Sequence, residues 1–422
     1  MPRPTVGFLY TLSVPIAAGL ASFDAPEIGG FAYTGWLWVA SLVSALVAVG
    51  ADMALTGRFR VTFPYGPWAA WFGFVWLSLL WSQGGARNVQ DAVQITMPLV
   101  VGIAGSMFVT SEAQLKVFLR AVCLSVLLLS ATLVGLLSGL LGSESDQPLR
   151  AFALTCAFLG SVFIAGSRRG TFMPLFGWGA CLAMTALSGS RMATLVIVVL
   201  PALNPLYRGF LLRGAVVATL LGIAVVLFYM PMFQERFFYD GYGTVGDLVS
   251  GHIRGTGRFE AWPAILDEAW RHPILGSGTG STLEFVPKVW PGMDKAHNDY
   301  LRVGFEQGLV GLGLFLGVMA WQVWDLARRA KHSEGYVQWA FAASFLGFLV
   351  FLMTSATGNT LVYNIWFVNP LFATMGAAYG VAVSTRSTVS PLPARGLDLP
   401  AGHGPGRSQG QSSVHLSESS VT

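Results

Sequence analysis

The sequence predicts an all-α, polytopic integral membrane protein with about 12 transmembrane helices. Composition, apolar spans and the distribution of charge support this fold class. Of the 422 residues, 54% are apolar and only 11% are charged, whereas a soluble domain has about 25% charged residues. Such a chain has too few polar residues to cover a soluble protein. The composition also excludes a disordered chain, a coiled coil and a disulfide-rich secreted domain.

Twelve apolar segments are candidate transmembrane helices, since a bilayer requires about 20 mostly apolar residues. The eighth segment is the weakest because it is short and contains Pro201. The first segment also has the pattern of a signal peptide, with Arg3 before an apolar run. The predicted spans are residues 5–22, 35–55, 67–82, 93–109, 117–141, 150–166, 171–187, 192–206, 212–230, 303–326, 336–355 and 364–384.

Basic residues alternate between the loops as the positive-inside rule requires for a cytoplasmic N-terminus. The predicted cytoplasmic segments hold 15 of the 25 basic residues. The short external loops hold three, namely Arg87, Arg150 and Arg191. The net charge of +4 reflects this distribution rather than a nucleic-acid-binding surface. We therefore predict that both termini are cytoplasmic.

The spans divide the chain into four regions. Residues 1–230 form spans one to nine, residues 231–302 form one large external loop, and residues 303–384 form spans ten to twelve. Residues 385–422 are rich in Ser, Gly and Pro, which predicts a disordered cytoplasmic tail. A long polar insertion on a membrane scaffold is where function is expected.

The large loop also contains one predicted amphipathic helix. From Arg258 to Trp270 the apolar residues recur at close to helical spacing. We expect this helix to lie on the membrane surface.

No motif of a soluble enzyme or of a metal site is present. The sequence contains no P-loop, no G-x-S-x-G, no H-E-x-x-H and no Asp-x-Asp pair. Cys123, Cys156 and Cys181 lie in apolar runs without pairing or metal-ligand spacing, so we interpret them as buried thiols. Metal-dependent chemistry is therefore disfavoured, and no cofactor is expected.

Polar residues around the eighth span form the first candidate site. Arg191 opens this span after Ser188 and Ser190. Their donors predict an anion-binding turn. The alternative is an interfacial arginine that extends its guanidinium towards the headgroups.

The large loop supplies a second group of candidates. His252, Arg254 and Arg258 precede the glycine-rich turn 275–280. Guanidinium groups pair well with phosphate oxygens, and glycines allow backbone amides to approach an anion. The alternative is a solvated loop with a flexible turn.

The segment from the loop into the tenth span is the third candidate. His297 is a suitable general base near neutral pH, and Asn298 or Asp299 is positioned to orient it. Asn298, Arg302 and Glu306 are spaced i, i+4, i+8, which predicts one polar helical face. Glu306 requires a partner inside a membrane, and Arg302 is the expected one. A structural ion pair remains the alternative to a substrate-binding role.

Several strings together resemble the O-antigen ligase/polymerase superfamily, most closely the O-antigen ligases. The resemblance extends over roughly residues 185–320 of a chain with many spans and a large loop in its C-terminal third. It rests on Ser190-Arg191, Gly257-Arg258 with Trp262, His272-Pro273-Ile274-Leu275-Gly276-Ser277-Gly278, and His297-Asn298-x-Tyr300-Leu301 followed by Glu306, Gly308, Gly311 and Leu312.

The resemblance implies a GT-C-like, metal-independent, inverting glycosyltransferase on the periplasmic face of a Gram-negative inner membrane. The donor would be a glycan on undecaprenyl diphosphate and the acceptor lipid A-core. The implied catalytic residues are His297, Arg191 and Arg258, the two arginines binding the donor diphosphate. We expect substrate-binding roles for Arg254, His252, Asn298, Arg302, Glu306 and Ser190.

Other functions remain open at this point. A polymerase that joins lipid-linked repeats fits almost equally well, and protein O-oligosaccharyltransferases also resemble these enzymes. A transporter would require ionisable residues at mid-bilayer depth, where Asp52 is the only clear candidate. A non-catalytic scaffold would tolerate loss of His297.

Overall fold

The computed structural model describes residues 6–21, 33–57, 61–83, 85–137, 147–167, 173–207, 210–249, 258–293 and 295–388. All regular secondary structure in these ranges is helical. Two predicted site residues, His252 and Arg254, lie outside the described residues, as does most of the predicted tail.

A helix occupies each of the twelve predicted spans. The bounds differ from the predicted ones mainly where polar turns extend a helix beyond its apolar part. The corresponding helices are α1 (Val6–Leu20), α2 (Tyr33–Thr56), α3 (Tyr65–Leu77), α4 (Gly85–Phe108), α5 (Glu112–Leu137), α6 (Gln147–Gly166), α7 (Met173–Leu187), α8 (Arg191–Leu203), α9 (Phe210–Phe228), α14 (Asp299–His332), α15 (Gly335–Ser355) and α16 (Asn369–Thr388).

Six of the described helices are long and apolar enough to cross a membrane: Arg87–Phe108, Glu112–Gly135, Leu149–Gly166, Asp299–His332, Gly335–Ser355 and Asn364–Ser384. Five shorter apolar helices accompany them, at Gly7–Leu20, Val39–Leu55, Met173–Leu187, Arg191–Leu203 and Val216–Phe228. These helices indicate a membrane protein. The count of 12 spans and the orientation of the termini stay predictions.

Glycine permits the backbones of α4 and α16 to approach each other closely. A Cβ at Gly376 would overlap the carbonyl oxygen of Gly102, and a Cβ at Gly105 would lie 2.8 Å from the carbonyl oxygen of Ala373. Small residues allow such backbone contact inside a membrane, where helices gain little from hydrophobic burial against one another.

Hydrogen bonds between helices fix which helix ends lie together. In the first half of α6, the Thr155 hydroxyl donates to the carbonyl of Trp366, 3.0 Å away. Near its other end, Trp339 of α15 donates to Val162, 2.7 Å away. In α14, the Tyr300 hydroxyl donates to Leu352 near the end of α15, 2.7 Å away.

The C-terminal ends of α6 and α8 also meet, since the Asn204 side chain donates to the carbonyl of Ile164 over 2.9 Å. Consequently α6, α8 and α14 all begin where α15 ends. We call this end of the bundle the upper end.

The described part of the large loop contains four short helices: α10 (Pro231–Phe237), α11 (Val245–Val249), α12 (Arg258–Ala269) and α13 (Thr282–Val289). The predicted amphipathic helix is α12. Its Ile265 is fully buried in a small apolar cluster with Val286 and Phe305. Among the described side chains of the predicted apolar face, Leu266 and Trp270 are exposed. Part of that face therefore packs against protein, and only the remainder is open to a membrane surface.

The glycine-rich turn packs against a kink in α14 at Gly308, where φ is 63° and ψ is −165°. At the kink, carbonyl groups of α14 accept hydrogen bonds from outside the helix. The amides of Ser277 and Gly278 donate to the carbonyls of Phe305 and Glu306, over 2.9 and 2.7 Å. The prediction that these turn amides approach an anion is therefore wrong for Ser277 and Gly278, because the carbonyls of α14 occupy them.

A strained backbone conformation costs about 1–3 kcal/mol. Gly276→Ala is expected to destabilise the protein by more than this amount. Gly276 has a φ of 71°, and an added Cβ would overlap the backbone of Glu306 and Gln307. The melting temperature of the detergent-solubilised protein measures this loss. Gly292→Ala is the matched control, since Gly292 has a φ of 94° but open space around its Cβ position. Equal losses in both variants would contradict the packing argument.

Candidate functional site

Three arginines converge at the upper end of the bundle. Arg150 lies in the first turn of α6, Arg191 is the first residue of α8, and Arg258 is the first residue of α12. The backbone amides in the first turn of a helix point outwards and carry partial positive charge. Each guanidinium therefore adds to an end of a helix that already favours anions.

The positive charges of Arg150 and Arg191 both act on Arg258. Burial is the main effect that lowers the pKa of Arg258, and the positive charges of Arg150 and Arg191 lower it further, to about 10. Tyr363 acts in the opposite direction. Arg258 still carries its charge at neutral pH. The mutual repulsion of three guanidinium groups would be relieved by a multivalent anion between them.

Ser190 occupies the N-cap position of α8, and its side chain makes no capping hydrogen bond. The hydroxyl of neighbouring Ser188 is used within the protein, since it donates to the carbonyl of Thr185 over 2.6 Å. Of the two serines that the sequence proposes as donors, Ser190 thus fits that role better.

A short polar segment after α15, residues 356–363, holds the other parts of the site together. Arg258 Nη1 donates to the carbonyl of Thr357, 2.9 Å away. The backbone amide of His297 donates to Asn359 Oδ1, also over 2.9 Å. The amide of Leu361 donates to Asp299 Oδ2, 3.1 Å away. The segment therefore connects α12 to the beginning of α14.

His297 adopts a left-handed backbone conformation, with a φ of 51°. Its Nδ1 lies 3.0 Å from Asn359 Nδ2. The carbonyl of the preceding residue, Ala296, accepts a hydrogen bond from Trp262 Nε1 over 2.8 Å, which ties the histidine to α12. The side chain is half-buried. His297 and Arg258 are thus held on the same short segment.

The expected partners of His297 have other tasks. Asn298 is the N-cap of α14, and its side chain accepts from the Leu301 amide, 3.0 Å away. Asp299 is buried and binds the Leu361 amide. The residue that contacts Nδ1 of the histidine ring is Asn359. The prediction that Asn298 or Asp299 orients His297 is corrected accordingly.

The expected ion pair of Arg302 and Glu306 is present, with Nε and Oε1 3.1 Å apart. Arg302 also pairs with Asp91 of α4, and Glu306 accepts from the Thr282 hydroxyl. The exposed fractions of Arg302, Asp91 and Glu306 are 2%, 4% and 1%. The cluster is sealed from solvent. The predicted polar face does not include Asn298, because the helix begins at Asp299.

The sequence did not predict three residues of the site or its buried cluster, namely Arg150, Asp91 and Asn359. Arg150 was predicted only to be one of three basic residues in the short external loops. Asp91 lies in polar first turns of α4, ahead of the predicted span. Asn359 lies in a run of polar residues, 354–360, at the end of an apolar helix. A polar run at such a boundary is a usable signal, although it identifies no partner.

Within the described ranges, no group of three or more His, Cys, Asp or Glu side chains is arranged to hold a metal ion. At the upper end, Arg150 and Arg191 act on the charge of Arg258. Such a site suits an anion rather than a cation.

Residues 175–316 match the family model described as O-Antigen ligase. The matched segment includes Ser190, Arg191, Arg258 and His297 and ends within α14. Arg150, Asp91 and Asn359 lie outside it. The match supports the resemblance to the O-antigen ligase/polymerase superfamily. The comparison with curated proteins gives no match.

Proposed function

We propose that this membrane protein of the O-antigen ligase/polymerase superfamily is an O-antigen ligase. It would transfer the O-antigen glycan from undecaprenyl diphosphate to a sugar hydroxyl of lipid A-core. The observation that carries the proposal is the convergence of Arg150, Arg191 and Arg258 beside the segment that holds His297. The match over residues 175–316 supports the same chemistry.

The arginine cluster suits the leaving group of this reaction. As the bond from the anomeric carbon to the diphosphate breaks, negative charge develops on the leaving phosphate oxygen. Guanidinium groups bind phosphate oxygens through paired donors. A preorganised positive site stabilises the developing charge more strongly in the transition state than in the ground state. We assign the donor diphosphate to these three arginines.

His297 is the proposed catalytic residue at the acceptor–donor junction. We propose an inverting, metal-independent displacement, in which the acceptor oxygen attacks the anomeric carbon opposite the diphosphate. Ser190, His252 and Arg254 remain proposed substrate-binding residues. Asn298, Arg302 and Glu306 are assigned instead to positioning, because the helix cap and the buried ion cluster use their polar atoms.

The membrane orientation follows from the same proposal. The positive-inside pattern predicts an external face for the loops at the upper end of the bundle. In a Gram-negative inner membrane that face is periplasmic, with both termini cytoplasmic. A lipid-linked donor would reach the arginines with its diphosphate at headgroup level.

Lipopolysaccharide from cells that lack the gene tests the function, with the parent gene and Arg191→Ala as complements. A ligase predicts loss of the whole O-antigen ladder while long glycan accumulates on undecaprenyl diphosphate. A core capped by one repeat would indicate the polymerase reaction instead. An unchanged ladder would contradict both, and would direct attention to protein glycosylation or to transport.

Arg150→Ala is expected to lower kcat/KM for the lipid-linked donor by about tenfold or more, since a charge-assisted hydrogen bond contributes about 1.5–3 kcal/mol. Transfer of glycan from undecaprenyl diphosphate by the purified protein measures this change. Arg87→Ala is the matched control, because Arg87 is also an exposed arginine in the first turn of a helix on the predicted external side. Equal activity of Arg150→Ala and the parent would remove Arg150 from the diphosphate site.

A further inference from the structure

Asn359 contacts His297 twice and has an exposed fraction of only 2%. Its Oδ1 lies 2.9 Å from the backbone nitrogen of His297, and its Nδ2 lies 3.0 Å from the ring Nδ1. The two residues are 62 positions apart in the chain. A single buried amide thus holds both the main chain and the ring of the proposed catalytic residue.

The backbone amide determines which way the Asn359 side chain faces. A backbone N–H group only donates, so the atom opposite it has to be the amide oxygen. The reversed amide would place two donors against each other and would leave buried groups without partners, which costs about 1–3 kcal/mol for each group. Hence the NH2 group of Asn359 faces the imidazole.

That orientation in turn determines the tautomer of His297. The NH2 group is a donor only, so Nδ1 has to accept with its lone pair. In a neutral imidazole one nitrogen accepts and the other carries the hydrogen. The hydrogen of His297 therefore resides on Nε2.

We propose that Asn359 is a positioning residue that holds His297 as an Nε2–H hydrogen-bond donor, and that the histidine acts on the leaving diphosphate rather than as a general base. This inference rests on the proposed function and changes the role that the sequence suggests for His297. It also gives a reason for the left-handed backbone at this position. Two hydrogen bonds to one amide compensate the strain of a φ of 51°.

The reaction balances without a basic imidazole. The acceptor oxygen forms its bond to the anomeric carbon, and the carbon–oxygen bond to the diphosphate breaks. The electron pair stays on the leaving phosphate oxygen, where Nε2–H and the guanidinium groups stabilise it. The acceptor hydroxyl loses its proton to water on the periplasmic side. His297 and Arg258 are attached to one segment, and Arg258 is assigned to the diphosphate. We therefore place the Nε2–H group of His297 on the phosphate side of the site.

Solid-state 15N NMR of the parent protein in lipid nanodiscs reads the tautomer directly. The protein would be labelled with ring-15N histidine, and the His297→Gln spectrum would identify the signals of His297 among the six histidines. At neutral pH we expect an unprotonated Nδ1 and a protonated Nε2. A hydrogen on Nδ1 would overturn the proposal. This measurement needs neither activity nor a variant of Asn359.

Asn359→Asp tests the consequence for catalysis. A carboxylate at this position accepts from the backbone amide and from the ring, so Nδ1 gains the hydrogen. The neutral ring then has a bare Nε2, whereas the protonated ring keeps Nε2–H. If His297 acts as a donor, this variant loses activity as the pH rises. If His297 is a base, it gains activity as the pH rises.

The ratio of kcat for Asn359→Asp to kcat for the parent is measured from about pH 6 to about pH 9, the range in which histidine titrates. Arg258, Asp299 and Tyr363, which lie on the neighbouring elements, are common to both proteins and cancel in the ratio. We expect the ratio to fall at least tenfold. A flat or rising ratio would overturn the donor role. Full activity of His297→Ala would instead refute the proposed catalytic residue itself, whichever tautomer is found.

Discussion

Arg302→Met is expected to destabilise the protein by about 3–5 kcal/mol, the usual cost of removing one partner from a buried ion pair. The guanidinium lies between the carboxylates of Asp91 and Glu306, and all three side chains are almost completely buried. Without it, two buried carboxylates lose the guanidinium that pairs with both. The melting temperature and the yield of monodisperse protein in detergent measure the loss.

Arg271→Met is the control for this prediction. Arg271 pairs with Glu268 at 3.1 Å, but its side chain is 74% exposed. An exposed pair contributes about 0–1 kcal/mol, so this variant should melt almost like the parent. If Arg302→Met melts as the parent does, the buried cluster does not stabilise the fold.

A compensated variant separates structure from substrate binding. The variant combines Arg302→Met with Asp91→Asn and Glu306→Gln. Each new side chain is neutral and similar in size to the one that it replaces. This triple variant should recover most of the stability, because none of the three substituted side chains carries a charge. If Arg302 is a positioning residue, activity should recover with stability. A stable but inactive triple variant would instead support the substrate-binding role that the sequence suggests.

The sequence predicts well those features that depend on residues close to one another in the chain. Apolar length is a local property, and a helix lies at each predicted span. The pairing of Arg302 with Glu306 is also local, since residues four apart share a helical face. The contributions of Arg191, Arg258 and His297 follow from motif resemblance. Their roles stay predictions until variants are measured.

The rest of the site depends on the tertiary arrangement of distant segments. Asp91 meets Arg302 across 211 positions, Arg258 meets Thr357 across 99, and His297 meets Asn359 across 62. No periodicity links such positions. Close packing also reversed one expectation, because Gly276 contacts the backbone of the kinked α14 and the amides of Ser277 and Gly278 donate to its carbonyls rather than to an anion.

His297→Ala is expected to lower glycan transfer by about 10²–10³-fold, the effect of removing one preorganised donor from developing negative charge. The ring is half-buried at the edge of the site, so its loss should leave the bundle folded. Transfer by the purified variant from undecaprenyl-diphosphate-linked glycan to lipid A-core measures this change. Donor binding should be affected less than kcat, because the three arginines remain in place.

Two further substitutions make the interpretation of His297→Ala specific. His297→Gly removes the ring but suits the left-handed backbone, so it should be as inactive as the alanine variant and slightly more stable. His332→Ala removes an exposed histidine from the far end of α14, the helix that begins two residues after His297, and should transfer glycan at the parental rate. If His297→Ala and His332→Ala are equally active, the histidine at the upper end takes no part in the reaction, and a scaffold or transporter role becomes the better explanation of the arginine cluster.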